Sequence, residues 1–351
     1  MTVRLSLLVA VLGVVGCAFA AWLNAPLLAH AWLGASLTFG LISIGAIAAL
    51  LTWHLTGGGW GEIGAPTWRA LAAGLPVFAL ALALLLIFGR GALFPWTAPA
   101  ETLPEVVRHK LLYLNMPFFV ARSLFYFVVW LGLAFVVGAW RPRRPSAGAA
   151  AGGLVALLYT LSFFGFDWML SLEPTFYTDV FGLWLAVTVP AAATAVVLLR
   201  SPAVDDPVSV GQRADLANLF FALLLGWSFM AFAQYVLIWE GNIPDEIEWY
   251  LNRGEGAWSV IAWLVTLLFF ALPSCALLFP GFKRSGLWLR RLAALVLVGY
   301  VLQVQWWVLP STEAAQIQLI WMSPLCLITL GAATLALCAY AHRRLDARNE
   351  R

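Results

Sequence analysis

Arg122 stands inside an apolar run that opens at Pro117, with Phe118, Phe119 and Val120 before it and Leu124 and Phe125 after it. A guanidinium in hydrocarbon is expensive, so it needs a partner or a task. At 1.5 Å per residue it lies roughly 9 Å from the outer end of its helix. Asn115, Arg122 and Tyr126 fall at i, i+7 and i+11, on one helical face, and Thr160, Asp167 and Ser171 on the following run repeat the spacing. A short turn from Arg141 to Gly148 joins the two runs. Arg122 and Asp167 stand equally far from it, so an antiparallel pair sets them at one depth. Such a pair could line a proton or quinol site near the outer surface. It could equally be a buried structural pair, or Arg122 could snorkel to headgroups.

Glu173 and Asp179 flank a tight outer turn, Glu173-Pro174-Thr175, with Trp168, Phe176 and Tyr177 at interfacial depth. Interfacial aromatic belts account for the rings but not for the acids. Further on come Gln234-Tyr235 and then Glu240, Asp245, Glu246 and Glu248, an acidic outer loop that could dock a basic partner or collect protons, or simply be solvated. Tyr300 and Gln303 share a face of the ninth span, and Gln316, Ser323 and Thr334 a face of the tenth.

A bis-histidine haem needs imidazoles at depth on facing helices. His30 and His109 fall at outer ends and His54 and His342 at inner ends, so no haem or cluster is expected on this chain. The four cysteines sit in apolar stretches without a CxxC pair, so no thiolate metal site is indicated. The sequence contains neither a Walker loop nor HExxH.

The elements that must position these residues follow from composition. The chain of 351 residues is 63% hydrophobic and 11% charged, with a mean hydropathy of +0.89. Soluble domains run at about 45–50% and 25%. An all-α polytopic membrane protein is predicted, in one integral membrane domain over 1–351. It has about ten spans, near 5–23, 31–53, 69–89, 117–140, 151–171, 176–199, 215–239, 257–279, 289–309 and 317–341. Breaker or charge clusters at 56–66, 141–145, 201–207 and 241–256 separate several of them.

With the N-terminus inside, 15 Lys and Arg residues fall on cytoplasmic flanks, from Arg4 to Arg348 and Arg351. Only four, Arg90, Arg108, Lys110 and Arg253, fall outside. That asymmetry puts both termini in the cytoplasm and the Arg122 end outside. Arg4, the short first apolar run and Ala18-Phe19-Ala20 also read as a signal peptide, and a retained first helix is the expectation.

Three stretches at outer helix ends carry a resemblance. They are Tyr113-Leu114-Asn115-Met116-Pro117-Phe118-Phe119 with Arg122, Asp167 to Pro174 with Tyr177 and Phe181-Gly182, and Gln234 to Trp239 running into Gly241-Asn242-Ile243-Pro244-Asp245-Glu246 and Trp249-Tyr250. Together they resemble the second large, ActF-type membrane subunit of alternative complex III, a bacterial quinol:cytochrome c oxidoreductase, a subunit distantly similar to NrfD/PsrC-type proteins. Departures are small, with Ala233 in place of an expected serine and Phe176 where tryptophan is common.

The resemblance implies two four-helix bundles with peripheral helices in a bacterial inner membrane, beside a paralogous NrfD-like quinol-binding subunit. Iron–sulfur and haem c subunits, and a cytochrome c oxidase, are the further partners it implies. It makes quinone the candidate ligand, and proton transfer or complex assembly the competing roles. The candidate region is then Arg122, Asp167, Glu173, Asp179, Gln234 and Glu240, supported by Asn115, Tyr126, Thr160, Tyr300 and Gln303. A ten-helix secondary transporter and a purely structural anchor are the alternatives from other classes.

Overall fold

A computed structural model describes residues 3–141, 143–200, 207–312 and 316–349. Among them every regular element is helical, and nine helices are long and apolar enough to cross a bilayer. Pro142, residues 201–206 of one expected breaker cluster, Arg351, and the side chains of Gln316 and Arg348 lie outside the described residues.

The difference from ten spans lies in the first helix. α1 (Val3–Thr56) runs for 54 residues, roughly 81 Å at 1.5 Å per residue and far more than one bilayer needs. It contains both the 5–23 and 31–53 runs. Asn24, at φ −157° and ψ 86°, breaks the helical path two residues before Pro26. Its side chain accepts from Leu27 N at 3.1 Å, as an N-cap does, and donates to Gln318 Oε1 at 2.9 Å.

Contacts with α15 (Gln316–Asn349) give the direction of each leg. In the first leg Gly13 lies on Thr329, Cys17 Sγ is 4.0 Å from Cys326 Sγ, and Asn24 reaches Gln318, so the pairing descends along α15. In the second, Gly34 meets Gln305, itself bonded to Ser323, and Phe39 meets Gly331, so the pairing ascends. The two legs of α1 are therefore antiparallel, and the first begins beside the far end of α15.

α2 (Gly59–Ala72) and α3 (Leu75–Phe88) form the next traverse, which starts ten residues before the expected 69. The stretch 56–66 is thus mostly helix. Only Gly57 and Gly58, both at positive φ, make the break, and Pro66 is carried inside α2. α4 (Arg90–Leu93) and α5 (Glu105–Lys110) belong to the connection leading to α6 (Met116–Val136). α6 ends in a Schellman arrangement, with Gly138 at φ 86° and Ala139 N donating to Ala134 O at 2.9 Å.

α7 (Ala147–Trp168) is capped by Ser146, whose side chain accepts from Ala149 N. α8 (Phe181–Arg200) starts five residues later than the expected 176, because 173–180 is a loop with Phe176 buried in it. α9 (Pro207–Gly241) follows. Then comes α10 (Pro244–Gly254), where the sequence reads as a loop. Pro244 at its N-terminus and Asp245 and Glu246 in the first turn suit the start of a helix, and Trp249 and Arg253, one turn apart, form its buried face.

The span Gly256–Leu277 comprises α11 (Gly256–Val265), a π-helical segment (Thr266–Ala271) and α12 (Leu272–Leu277). α13 (Pro280–Arg284) leads to α14 (Gly286–Val308).

Two rings of four result. The second leg of α1 packs with α3, α6 and α7, around Phe78, Trp130 and Phe164. α8 packs with α9 and α14, and the α11–α12 span closes the ring between α9 and α14, around Trp184, Trp227, Trp307 and Phe269. α8 joins the rings through α1 and α7, and the first leg of α1 lies beside α15. Close backbone approach demands small residues. A Cβ on Gly45 would lie 2.0 Å from Val189 O, and one on Gly299 would lie 2.7 Å from Phe269 N.

Candidate functional site

Arg122 and Asp167 meet as a two-pronged ion pair. Arg122 Nε donates to Asp167 Oδ2 at 2.9 Å and Nη2 donates to Oδ1 at 2.8 Å. Nη1 donates to Tyr113 O at 2.9 Å, and Tyr126 OH to Asp167 Oδ2 at 2.7 Å. Asp167 is fully buried, and the guanidinium carbon lies 3.8 Å from the Tyr113 ring centroid and 4.3 Å from that of Phe118. The register continues down the helices, with Trp168 Nε1 donating to Ser123 Oγ and Trp130 Nε1 to Thr160 Oγ1.

This pair is closely satisfied. Three donors converge on one carboxylate, and Ser171 Oγ donates to the Asp167 carbonyl. Fork-to-fork geometry fixes both partners and joins the N-terminal end of α6 to the C-terminal end of α7. Such an arrangement holds a fixed charge pair in place and suits a clamp better than a relay, which needs a group free to change partners.

A second ion pair, missed in the sequence, lies at the same end. Arg253, 1% exposed, contacts Glu173 Oε1 at 2.5 Å through Nη2. Its Nε donates to Trp306 O, Nη2 to Trp307 O and Nη1 to Trp249 O. Those carbonyls of α14 are at its C-terminal end, where cations are favoured. Burial pulls the Arg253 pKa down and Glu173 opposes the shift. The available signal was a basic residue one turn after Trp249, on whose ring the guanidinium sits at 3.9 Å.

Loop 173–180 is tied down from three sides. Lys110 Nζ donates to Pro174 O at 2.7 Å, Phe176 stacks on Trp249 at 4.9 Å between centroids, and Thr178 Oγ1 donates to Gln234 Oε1 at 2.6 Å. Burial lowers the Lys110 pKa, with Glu246 and Asp245 pulling the other way. Burial and the Asp167 charge raise that of the Tyr113 phenol.

Other expected site residues fall elsewhere. Asn115 is the N-cap of α6, accepting from Phe118 N and donating to the Leu111 and Leu112 carbonyls, so its side chain leaves the Arg122 face and the Tyr113 carbonyl stands there instead. Asp179 is exposed, accepting from Tyr177 OH, and Glu240 is exposed on the last turn of α9. Tyr300 and Gln303 turn to different neighbours: Tyr300 OH donates to Thr38 O of α1, and Gln303 Oε1 accepts from Trp227 Nε1 of α9. Gln305, not singled out in the sequence, links Thr38 and Ser323.

This end of the molecule is thus a set of braces among three chain segments, α5–α6, α7–α8 and α9–α10, with α14 held by Arg253. Among the described residues no group of three His, Cys, Asp or Glu side chains is placed to hold a metal ion. No protein-family model matches the chain, and no curated protein matches it significantly. The chain is a multi-pass helical membrane protein.

Proposed function

We propose that the chain is a non-haem membrane subunit of a quinol-oxidising respiratory complex of the alternative complex III type. In this reading it anchors and orients the redox subunits. Partner chains carry haem c and iron–sulfur clusters, a paralogous membrane subunit takes the quinol, and a cytochrome c oxidase docks on the assembly.

One observation carries the reading. The three stretches that resemble the family, beginning at Tyr113, Asp167 and Gln234, meet at a single end of the molecule, the first joined to the second by Arg122–Asp167 and the loop after the second joined to the third by Phe176–Trp249 and Thr178–Gln234. Packing alone would not need that many polar braces at one surface, whereas a docking face needs its loops held in place before a partner arrives. A secondary transporter is less well supported. Its polar groups should sit near the bilayer midplane and exchange partners, and here the clearest ion pairs are at one end and fully engaged.

Blue-native migration of the gently solubilised protein separates these readings. A complex subunit runs with haem c and iron–sulfur chains. A transporter runs alone or as a homo-oligomer, and that pattern from native membranes would remove the proposal.

A further inference from the structure

Between α9, α10, α11 and α14 lies a cavity of about 670 Å³. That is within the roughly 300–1,000 Å³ of small-molecule sites. Trp184, Trp227, Tyr250 and Trp306 form much of its wall, and the π-helical segment begins there at Thr266.

Two buried donors line it without an acceptor among the described residues, Gln303 Nε2 and Trp184 Nε1. Trp227 links them. Its ring lies 6.3 Å from that of Trp184, and its indole N–H donates to Gln303 Oε1 at 3.1 Å. That bond fixes the Gln303 amide and leaves Nε2 as the group left over. Gln303 is fully buried and Trp184 4% exposed, so bulk water serves neither donor well. Buried N–H groups are rarely left unpaired, and both call for an acceptor oxygen.

The mouth, the depth and the charge of the cavity select what brings that oxygen. Tyr235, Trp239 and Trp263 line the cavity yet are exposed, and they belong to spanning helices, so the mouth faces lipid. The bilayer's own diacyl lipids are then the molecules present at the entrance in highest concentration. Trp184 follows the first residue of α8 by three positions and Gln303 precedes the last of α14 by five, which sets them roughly 4–8 Å inside the helix ends at 1.5 Å per residue. For helices spanning a core of about 30 Å that is near the edge of the hydrocarbon, where ester carbonyls join the chains of a phospholipid to its headgroup. The cation among the lining residues, Arg253, already contacts Glu173 and donates to three carbonyls, and Glu255 adds a carboxylate. A free fatty acid would therefore bring a charge with no partner. An ester carbonyl is a neutral acceptor and needs none.

We propose that this cavity binds one acyl chain of a membrane phospholipid, with the ester carbonyl accepting from the Gln303 amide and the Trp184 indole N–H. The chain lies along the aromatic wall, and the headgroup stays at the mouth. The site is one of binding, involves no covalent step, and stands independently of the complex membership proposed above.

The test uses the full chain in detergent, stripped of lipid by exchange, and native mass spectrometry with two synthetic phosphatidylethanolamines of equal chain length. One carries ester-linked chains, and the other ether-linked chains that lack both carbonyls. Saturable binding of one ester lipid per chain is expected, with the ether lipid at least about tenfold weaker. A diazirine on an acyl chain of the ester lipid should label residues within 227–266 or 303–306. Trp184→Phe keeps the ring and loses the donor, and together with Gln303→Leu it should bring the ester lipid down to the level of the ether lipid. Trp22→Phe, on an exposed face, should change nothing.

Equal binding of the ester and ether lipids, label confined to other segments, or displacement of the ester lipid by equimolar oleate or ubiquinone-2 would each overturn the proposal. The comparison of the two lipids is made on the unsubstituted chain, so it decides the matter even if the variants fail to fold.

Discussion

Arg122 and Asp167 form the clearest case for reading chemistry from spacing. Both were legible because one short turn fixes the register of two neighbouring helices, so equal distance from it becomes equal depth. Arg253 and Glu173 lie 80 residues apart with no shared turn, and α10 hides its helical character in a strongly charged stretch, so no periodic argument connects them. Asn115 shows the opposite failure. Its i−7 spacing from Arg122 was right as arithmetic, but Asn at a helix start is drawn to capping its own backbone. Removing one partner of a buried ion pair costs about 3–5 kcal/mol, because the survivor is left charged and unpaired. Arg122→Leu and Asp167→Leu should each lower the yield of folded protein sharply in detergent-extraction assays. The double variant should recover much of that loss if the pair is a clamp, and a double variant no better than either single would refute the clamp.

At the scale of elements, lengths and apolar runs were readable because a bilayer imposes one thickness on every span. Boundaries were less so where a helix continues through residues that usually stop one. Pro66 inside α2 and Pro26 beside the bend of α1 are both exposed and both carried within helix, and at the bend Asn24 supplies the acceptor for Leu27 N. Phe176, read as the start of a span, is a loop residue instead, because stacking on Trp249 buries its ring as well as lipid would. Packing of the two rings rests on small residues at crossings, which composition does not reveal. Gly45→Ala would press a methyl onto the Val189 carbonyl, and backbone cannot step aside, so a loss at or above the usual overpacking range of about 1–3 kcal/mol is expected. Gly132→Ala, with nothing within 4 Å of the added methyl, should leave thermal unfolding in detergent unchanged. Equal unfolding midpoints for the two variants would contradict the close α1–α8 crossing.

For the whole molecule, the two four-helix rings follow from ten apolar runs only once α1 is seen to double back. That bend depends on a single asparagine side chain and its partner on α15, which is why the sequence suggested ten spans without saying that two share a helix. From the 15 to 4 distribution of basic residues, the braced end is expected outside. Reporter fusions after Arg143 and after Arg348 should therefore report cytoplasm, and one at Asn252 the outside; a cytoplasmic signal at Asn252 would reverse the orientation.

Sidedness matters because a docking face for haem c chains has to lie where their electrons leave. The central claim is membership of a quinol-oxidising complex, and it is tested most directly by purifying from native membranes through a tag on this chain and assaying quinol:cytochrome c oxidoreductase activity. The account predicts inhibitor-sensitive activity together with a c-type haem spectrum in the eluate. A pure, folded chain with neither haem nor activity, recovered from membranes that retain both in the unbound fraction, would contradict it.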